Sequence, residues 1–133
     1  MLRMYTLCLA GILGLGLAAT GCGLGGGRHG SGNFDVAWAL VWSGGGSVSC
    51  AGAGVTEINL DVQDVYTGEV RHDAFFCSDG YGMSQDLLPD DYTVALRAYD
   101  SGRAMVSEWT DAPNTYPIYS DLVTPLPDVL LPI

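Results

Sequence analysis

Two histidines and fifteen carboxylates are the residues of this chain best able to do acid–base or metal chemistry. His29 lies in a glycine-rich stretch, so a Ser-His-Asp or Cys-His site would have to use His72. His72 stands between Arg71 and Asp73 in a stretch that reads as a strand, where it is expected as an exposed sheet residue. There is no G-x-S-x-G elbow to supply a serine nucleophile. Among the carboxylates, Asp61 and Asp64 fall near one predicted strand end, and Asp79, Asp86, Asp90 and Asp91 fall in or near one loop. Calcium takes roughly six to eight oxygens, which loop carboxylates and carbonyls can supply, but no D-x-D-x-D-G pattern is present. Glycosidase-type carboxylate pairs are compatible with this composition, although a domain of about 100 residues leaves little room for a deep cleft. Trp38, Trp42, Trp109, Tyr116 and Tyr119 raise a further chemistry, an aromatic platform for sugar or peptide. Trp38 and Trp42 are expected on a core face, which leaves the other three near the proline-rich end. No catalytic residue, metal ligand or cofactor is assigned. The chain has no lysine, which excludes a phosphate-binding G-x-x-x-x-G-K-[ST] loop, Schiff-base catalysis and a kinase lysine.

Ahead of these residues stands a segment with the three parts of an export signal. Arg3 is a short positive region, Leu7 to Leu17 is apolar, and Ala19, Thr20 and Gly21 form a small-residue cleavage zone. The apolar run is shorter than the ~20 residues that a permanent membrane-spanning helix needs. Leu17-Ala18-Ala19-Thr20-Gly21-Cys22 resembles the lipobox of bacterial lipoprotein precursors, with Ala19 in place of the more usual leucine. The resemblance implies cleavage before Cys22, acylation of its sulfur and attachment to a membrane. Gly23, rather than an aspartate, implies the outer membrane. Gly23 to Gly32 has almost no side chain to bury and is expected to be a flexible tether with a reach of about 17 Å. Gly21 to Gly26 also spells G-x-G-x-x-G, but no strand precedes it and no helix follows, so a dinucleotide reading fails. The expected organisation is therefore a signal over 1–21, a lipidated Cys22 and tether over 22–32, and a folded domain over 33–133.

Cysteine arithmetic follows from that organisation. Cys8 leaves with the signal and Cys22 takes lipid, so Cys50 and Cys77 remain to pair in an oxidising compartment. Oxidation would also remove both as nucleophiles, and neither a C-x-x-C motif nor further ligands support a redox or metal pair. The part beyond the signal sets four arginines against fifteen acids, a net charge of −11. Such a surface argues against nucleic acid and against adsorption to anionic lipid.

Period-two alternation dominates from residue 34 onward. Phe34, Val36, Trp38, Leu40 and Trp42 share one face, and Ser43 to Gly46 break the strand. Val55 to Val65 places Ile58, Leu60 and Val62 inward, with Asn59, Asp61 and Gln63 outward. Val70 to Cys77 is a third strand whose inward set, Ala74 and Phe76 or Phe75 and Cys77, is ambiguous. Tyr92 to Tyr99 presents Tyr92, Val94, Leu96 and Ala98 on one face, and Arg103 to Trp109 returns after Asp100-Ser101-Gly102. Prolines 113, 117, 125, 127 and 132 confine the end to edge strands and extended segments. No helical period of useful length remains. The expected fold is all-β, a single small antiparallel β-sandwich of Ig-like or transthyretin-like type.

Leu88-Pro89-Asp90-Asp91-Tyr92-Thr93-Val94 resembles the L-x-P-G-x-Y-T-V segment of transthyretin-like and carboxypeptidase-regulatory-like domains. The resemblance implies a turn into a strand with Tyr92 packed at its start, and Asp90 in the usual glycine place, where a left-handed backbone is expected. Such domains bind, space or cap, and bring no catalytic residue. The functional expectation is a non-enzymatic, lipid-anchored envelope module. It meets the membrane through Cys22 and takes another envelope protein or a polysaccharide as partner; nucleic acid is not among its partners. The alternative is an accessory domain recognising carbohydrate or peptide, calcium-assisted or not.

Overall fold

A computed structural model describes residues 30–133, and the signal, Cys8, Cys22 and the tether as far as residue 29 lie outside the described residues. The compact unit runs from Ser31 to Ile133. Ser31 and Gly32 thus belong to the fold rather than to the tether. Gly32 exchanges backbone hydrogen bonds with Leu87 at 2.9 Å in both directions, and the Ser31 carbonyl accepts from Asp121 N at 2.7 Å. A Cβ on Gly32 would lie 2.4 Å from the Tyr119 carbonyl oxygen, so only glycine lets the chain enter at this point.

Strand β1 (Asn33–Val41) alternates as its sequence requires, with Phe34, Val36, Trp38 and Leu40 buried. It is the centre of the first sheet. The antiparallel strands β2 (Ser47–Val48) and β5 (Tyr81–Met83) lie along one of its edges, and the parallel strands β9 (Val123–Pro125) and β10 (Val129–Pro132) lie along the other. Backbone parity separates the two edges. The even positions face β5, where the Phe34 carbonyl accepts from Ser84 N and Trp38 N donates to the Gly80 carbonyl. The odd positions face the chain end, where the Asp35 and Val41 carbonyls accept from Leu126 N and Ile133 N. The proline-bearing strands β9 and β10 are edge strands, as expected, but they run parallel to β1 instead of extending an antiparallel sheet.

The second sheet is antiparallel, in the order β4 (Val70–Phe76), β3 (Val55–Asp64), β6 (Asp91–Asp100), β7 (Met105–Thr110), with β8 (Tyr116–Pro117) added to the start of β6. Ile58, Leu60 and Val62 of β3 and Tyr92, Val94, Leu96 and Ala98 of β6 are buried. They form one core with the inward residues of β1 and with Val129 and Leu131 of β10. Two packed sheets around a single core make this a small all-β sandwich.

Two short segments carry the chain between the sheets. Helix α1 (Cys50–Ala53), capped by the Ser49 hydroxyl and ended by Gly54 at φ 72°, leads from β2 to β3. A 3₁₀ turn, Cys77–Asp79, leads from β4 to β5. The Cys50–Cys77 disulfide joins these two passages, with Cα atoms 6.0 Å apart. Trp38 Nε1 donates to the Cys77 carbonyl at 2.9 Å, and the Trp38 ring stacks on Phe75 with centroids 5.6 Å apart. This resolves the ambiguous strand. Phe75 and Cys77 turn inward, because the Phe75 ring fills the space over Gly82, where a Cβ would lie 2.6 Å from it. Phe76 is left 75% exposed.

Trp42 departs from expectation. β1 ends at Val41, and Trp42 opens the following turn, donating its N–H to Gly46 and accepting from Gly45 N. Its side chain is therefore exposed instead of continuing the core face. Tyr92 does pack at the start of β6, edge-on to Phe34, with its hydroxyl on the Leu88 carbonyl at 2.6 Å. Asp90, however, is not left-handed. Positive φ among the described non-glycine residues occurs at Arg103 and Asp121, while the Asp90 carboxylate accepts from Asp91 N at 2.9 Å and shapes the turn through its side chain.

Candidate functional site

Strand register assembles the polar residues first. Asp61 stands opposite His72, and Arg97 stands between Asn59 and Glu108, so two adjacent rows on the outer face of the second sheet meet diagonally at Asp61 and Arg97. His72 Nδ1 meets Asp61 Oδ1 at 2.5 Å, the other Asp61 oxygen accepts from Arg97 Nη1, and Arg97 Nε donates to Glu108 at 2.7 Å. Burial pulls the Arg97 guanidinium down, but Glu108 and Asp61 outweigh it and hold the group above its ordinary value. The cluster has half of what a hydrolase needs, an imidazole oriented by a carboxylate. The other half is missing among the described residues, since no serine, threonine or cysteine side chain is hydrogen-bonded to either ring nitrogen. What remains is a ladder of cross-strand ion pairs, each satisfied by its neighbour.

The loop carboxylates disperse. Asp61 and Asp64, close in sequence, point to opposite sides of β3, because Asp64 falls on the inward parity. Asp64 is buried and accepts from Tyr66 N at 2.8 Å and Thr67 N at 3.0 Å, closing the β3–β4 turn. Burial pushes its carboxyl up, yet those amides and Asp90 outweigh this and hold it below its ordinary value. Asp90, hydrogen-bonded to Asp64, is pushed up by that contact, so the two behave as a pair sharing one proton. Asp86 accepts from Asn33 Nδ2 at 3.0 Å, and Asp91 accepts from the Tyr66 hydroxyl at 3.4 Å. Asp79 lies apart, beside Glu57 and Phe76 at the other end of β4. Among the described residues, no three His, Cys, Asp or Glu side chains converge as a metal site would require. The aromatics are dispersed as well. Trp109 and Tyr116 pack partly against the core, and the Tyr116 hydroxyl is held by Asp111, so of the five aromatics Trp42, in the turn after β1, and Tyr119 are the exposed ones.

The surface with unused capacity is the outer face of the first sheet. Tyr81 lies opposite Ala37, Leu130 opposite Ala39, and Val123 opposite Asn33, while Asp35 sits between Met83 and Pro125. All project away from the core. Leu130 is 60% exposed and Tyr81 48%. Asp35 is the one charged residue in these pairs. Neither Tyr81, which reads as part of a turn, nor Leu130, in the proline-rich end, carries a functional signal in sequence. The available hint is that β1 places Ala37 and Ala39 at outward positions, where β3 places Asn59, Asp61 and Gln63.

No family model matches the chain, and no curated protein matches it. A leucine-rich repeat protein from Bacteroides thetaiotaomicron VPI-5482, known from a crystal structure, aligns over 87% of this chain at 14% identity and a TM-score of 0.44. The alignment covers 15% of that protein's length. So loose a likeness carries no argument about ancestry or activity.

Proposed function

We propose that this is a lipid-anchored bacterial cell-envelope protein, acylated at Cys22, whose β-sandwich is a non-enzymatic binding module. The binding surface in this reading is the outer face of the first sheet, centred on Tyr81, Ala37, Ala39 and Leu130. One observation carries it: a sheet face centred on the apolar pairs Ala37–Tyr81 and Ala39–Leu130, with Asp35 the one charged residue among its pairs, while ion pairs cross the middle of the opposite face. Flat apolar faces of this kind fit a protein partner with an apolar surface of its own. The lipobox resemblance supports the anchor, and Gly23 supports the outer membrane.

Two experiments test the reading. Radiolabelled palmitate should enter the wild-type chain and not Cys22→Ser, which should move to the soluble fraction. A wild type without label, or a membrane-bound variant, defeats the anchor. A photo-crosslinking residue at position 130 should trap one discrete partner in intact cells, and the same residue at position 63 should trap none. Equal trapping at both positions defeats the proposed face.

A further inference from the structure

Chain length limits how far this domain can stand from a membrane. Eight residues separate Cys22 from Ser31. Fully extended they span at most about 30 Å. A domain of this size is itself roughly 30 Å across. A domain on so short a leash has surface within reach of the headgroups, and the end where the chain enters is joined to Cys22 by the fewest residues.

That end is apolar at its tips. Ser31 to Asn33 is hydrogen-bonded to Leu87, Asp121 and Leu122, and Asn33 pairs with Val123. The β3–β4 turn reaches the same end, where Val65 N donates to the Asp91 carbonyl, and β8 joins it through Ile118 N and the Asp90 carbonyl. The loops so gathered expose Val65, Tyr66, Leu88, Tyr119, Leu122 and Val123. They surround the point of entry and come from three separate stretches of sequence. Leucine and valine beside tyrosines is the composition that enters the boundary between headgroups and acyl chains. Among the described residues, the acids at this end, Asp86, Asp90, Asp91 and Asp121 with Glu69, outnumber the nearby base Arg71, which favours zwitterionic over anionic headgroups.

We infer that the entry end of the sandwich is a membrane-contacting surface, with Leu88, Tyr119 and Leu122 seated among zwitterionic lipid headgroups. This rests on the Cys22 anchor of the preceding section and adds a second contact with the same bilayer. Two contacts act together, because the lipid on Cys22 makes the docking of the loops effectively intramolecular. The domain then stands end-on, and the outer face of the first sheet remains open for a partner.

Bromine-bearing acyl chains provide the test, since they quench a tryptophan only at short range. The acylated full chain, with Trp42→Phe as background, is reconstituted in phosphatidylcholine vesicles with and without bromine. Leu122→Trp and Leu88→Trp should each lose about half of their added emission, and Leu130→Trp on the sheet face should lose almost none. Unquenched tryptophans at both 88 and 122, in chains that float with the vesicles, overturn the inference. So does equal quenching at 130. Chains that fail to float defeat the anchor itself, and this contact with it. Hydrogen exchange leaves the folded domain unsubstituted: amides 119–123 should exchange several-fold more slowly in the acylated chain on vesicles than in the Cys22→Ser chain, and unchanged exchange is the contrary result.

Discussion

The two outer faces of this sandwich share one core and differ in nearly everything else. On the second sheet, His72, Asp61, Arg97 and Glu108 pair with one another across adjacent strands, and of their neighbours the Asn59 Oδ1 opposite Arg97 is left without a partner. On the first, Tyr81, Ala37, Ala39 and Leu130 meet across β1 with little to satisfy and little to repel. The inward faces are equivalent, each burying branched and aromatic side chains. Core formation thus constrains alternate residues only, and the outward parity is free to carry something other than stability. One sheet uses that freedom to stay solvated. The other keeps an apolar surface for which the fold itself has no need.

Substitutions ordered by expected effect sharpen this contrast. Leu131→Ala beneath the apolar face removes a fully buried side chain of β10 and should cost about 2–5 kcal/mol in denaturant unfolding. A loss under 1 kcal/mol would mean that β10 is not a working part of the core. Replacing both cysteines, Cys50→Ala with Cys77→Ala, frees the two passages between sheets, and the 27-residue separation implies a loss of roughly 3–4 kcal/mol. An unchanged unfolding midpoint under reducing conditions would contradict this.

The carboxyl pair comes next and gives pH dependence of two signs. Asp64 is held below its ordinary value of 3.8, so its contribution is present above that value and is lost as pH falls through the depressed one. Asp90 is held above 3.8, so what the shared proton contributes is complete below that value and is lost as pH rises through the elevated one. Asp90→Asn keeps a donor toward Asp64 at every pH. Its unfolding temperature should stop declining as pH rises above the carboxylate range, and a profile parallel to wild type would refute the pairing.

The smallest effects on stability fall on the two faces themselves. Arg97→Ala opens the polar ladder yet should cost only about 0–1 kcal/mol, because the guanidinium and both its partners remain in reach of water. Leu130→Ser should change stability by less than about 0.5 kcal/mol while reducing crosslinking through the apolar face. If Leu130→Ser unfolds the domain, Leu130 belongs to the core and the contrast between faces collapses.

Much of the fold was legible in the chain because alternation is local. Phe34 to Leu40, Ile58 to Val62 and Tyr92 to Ala98 reveal their buried parity to anyone counting in twos, and the strands follow. Trp42 continues the count but not the strand, since Gly44-Gly45-Gly46 draw it into a turn. The candidate surface was much less legible. Its members come from β1, from the short strand β5, whose Tyr81 and Gly82 read as a turn, and from a proline-rich end, and no local pattern joins them.

The sequence alone determined an all-β domain, the pairing of Cys50 with Cys77 once the other cysteines were allotted elsewhere, and the exclusion of every lysine-dependent chemistry. Each follows from residue type or from spacing within a few positions. Only the tertiary structure decided that Asp61 and Asp64 part company across β3, that Phe75 rather than Phe76 enters the core, and that the chain end lies parallel beside β1. These outcomes depend on which strands become neighbours. Neighbours are chosen by the packing of the whole core, because a strand with one apolar face can satisfy it against many partners and its own residues do not distinguish among them.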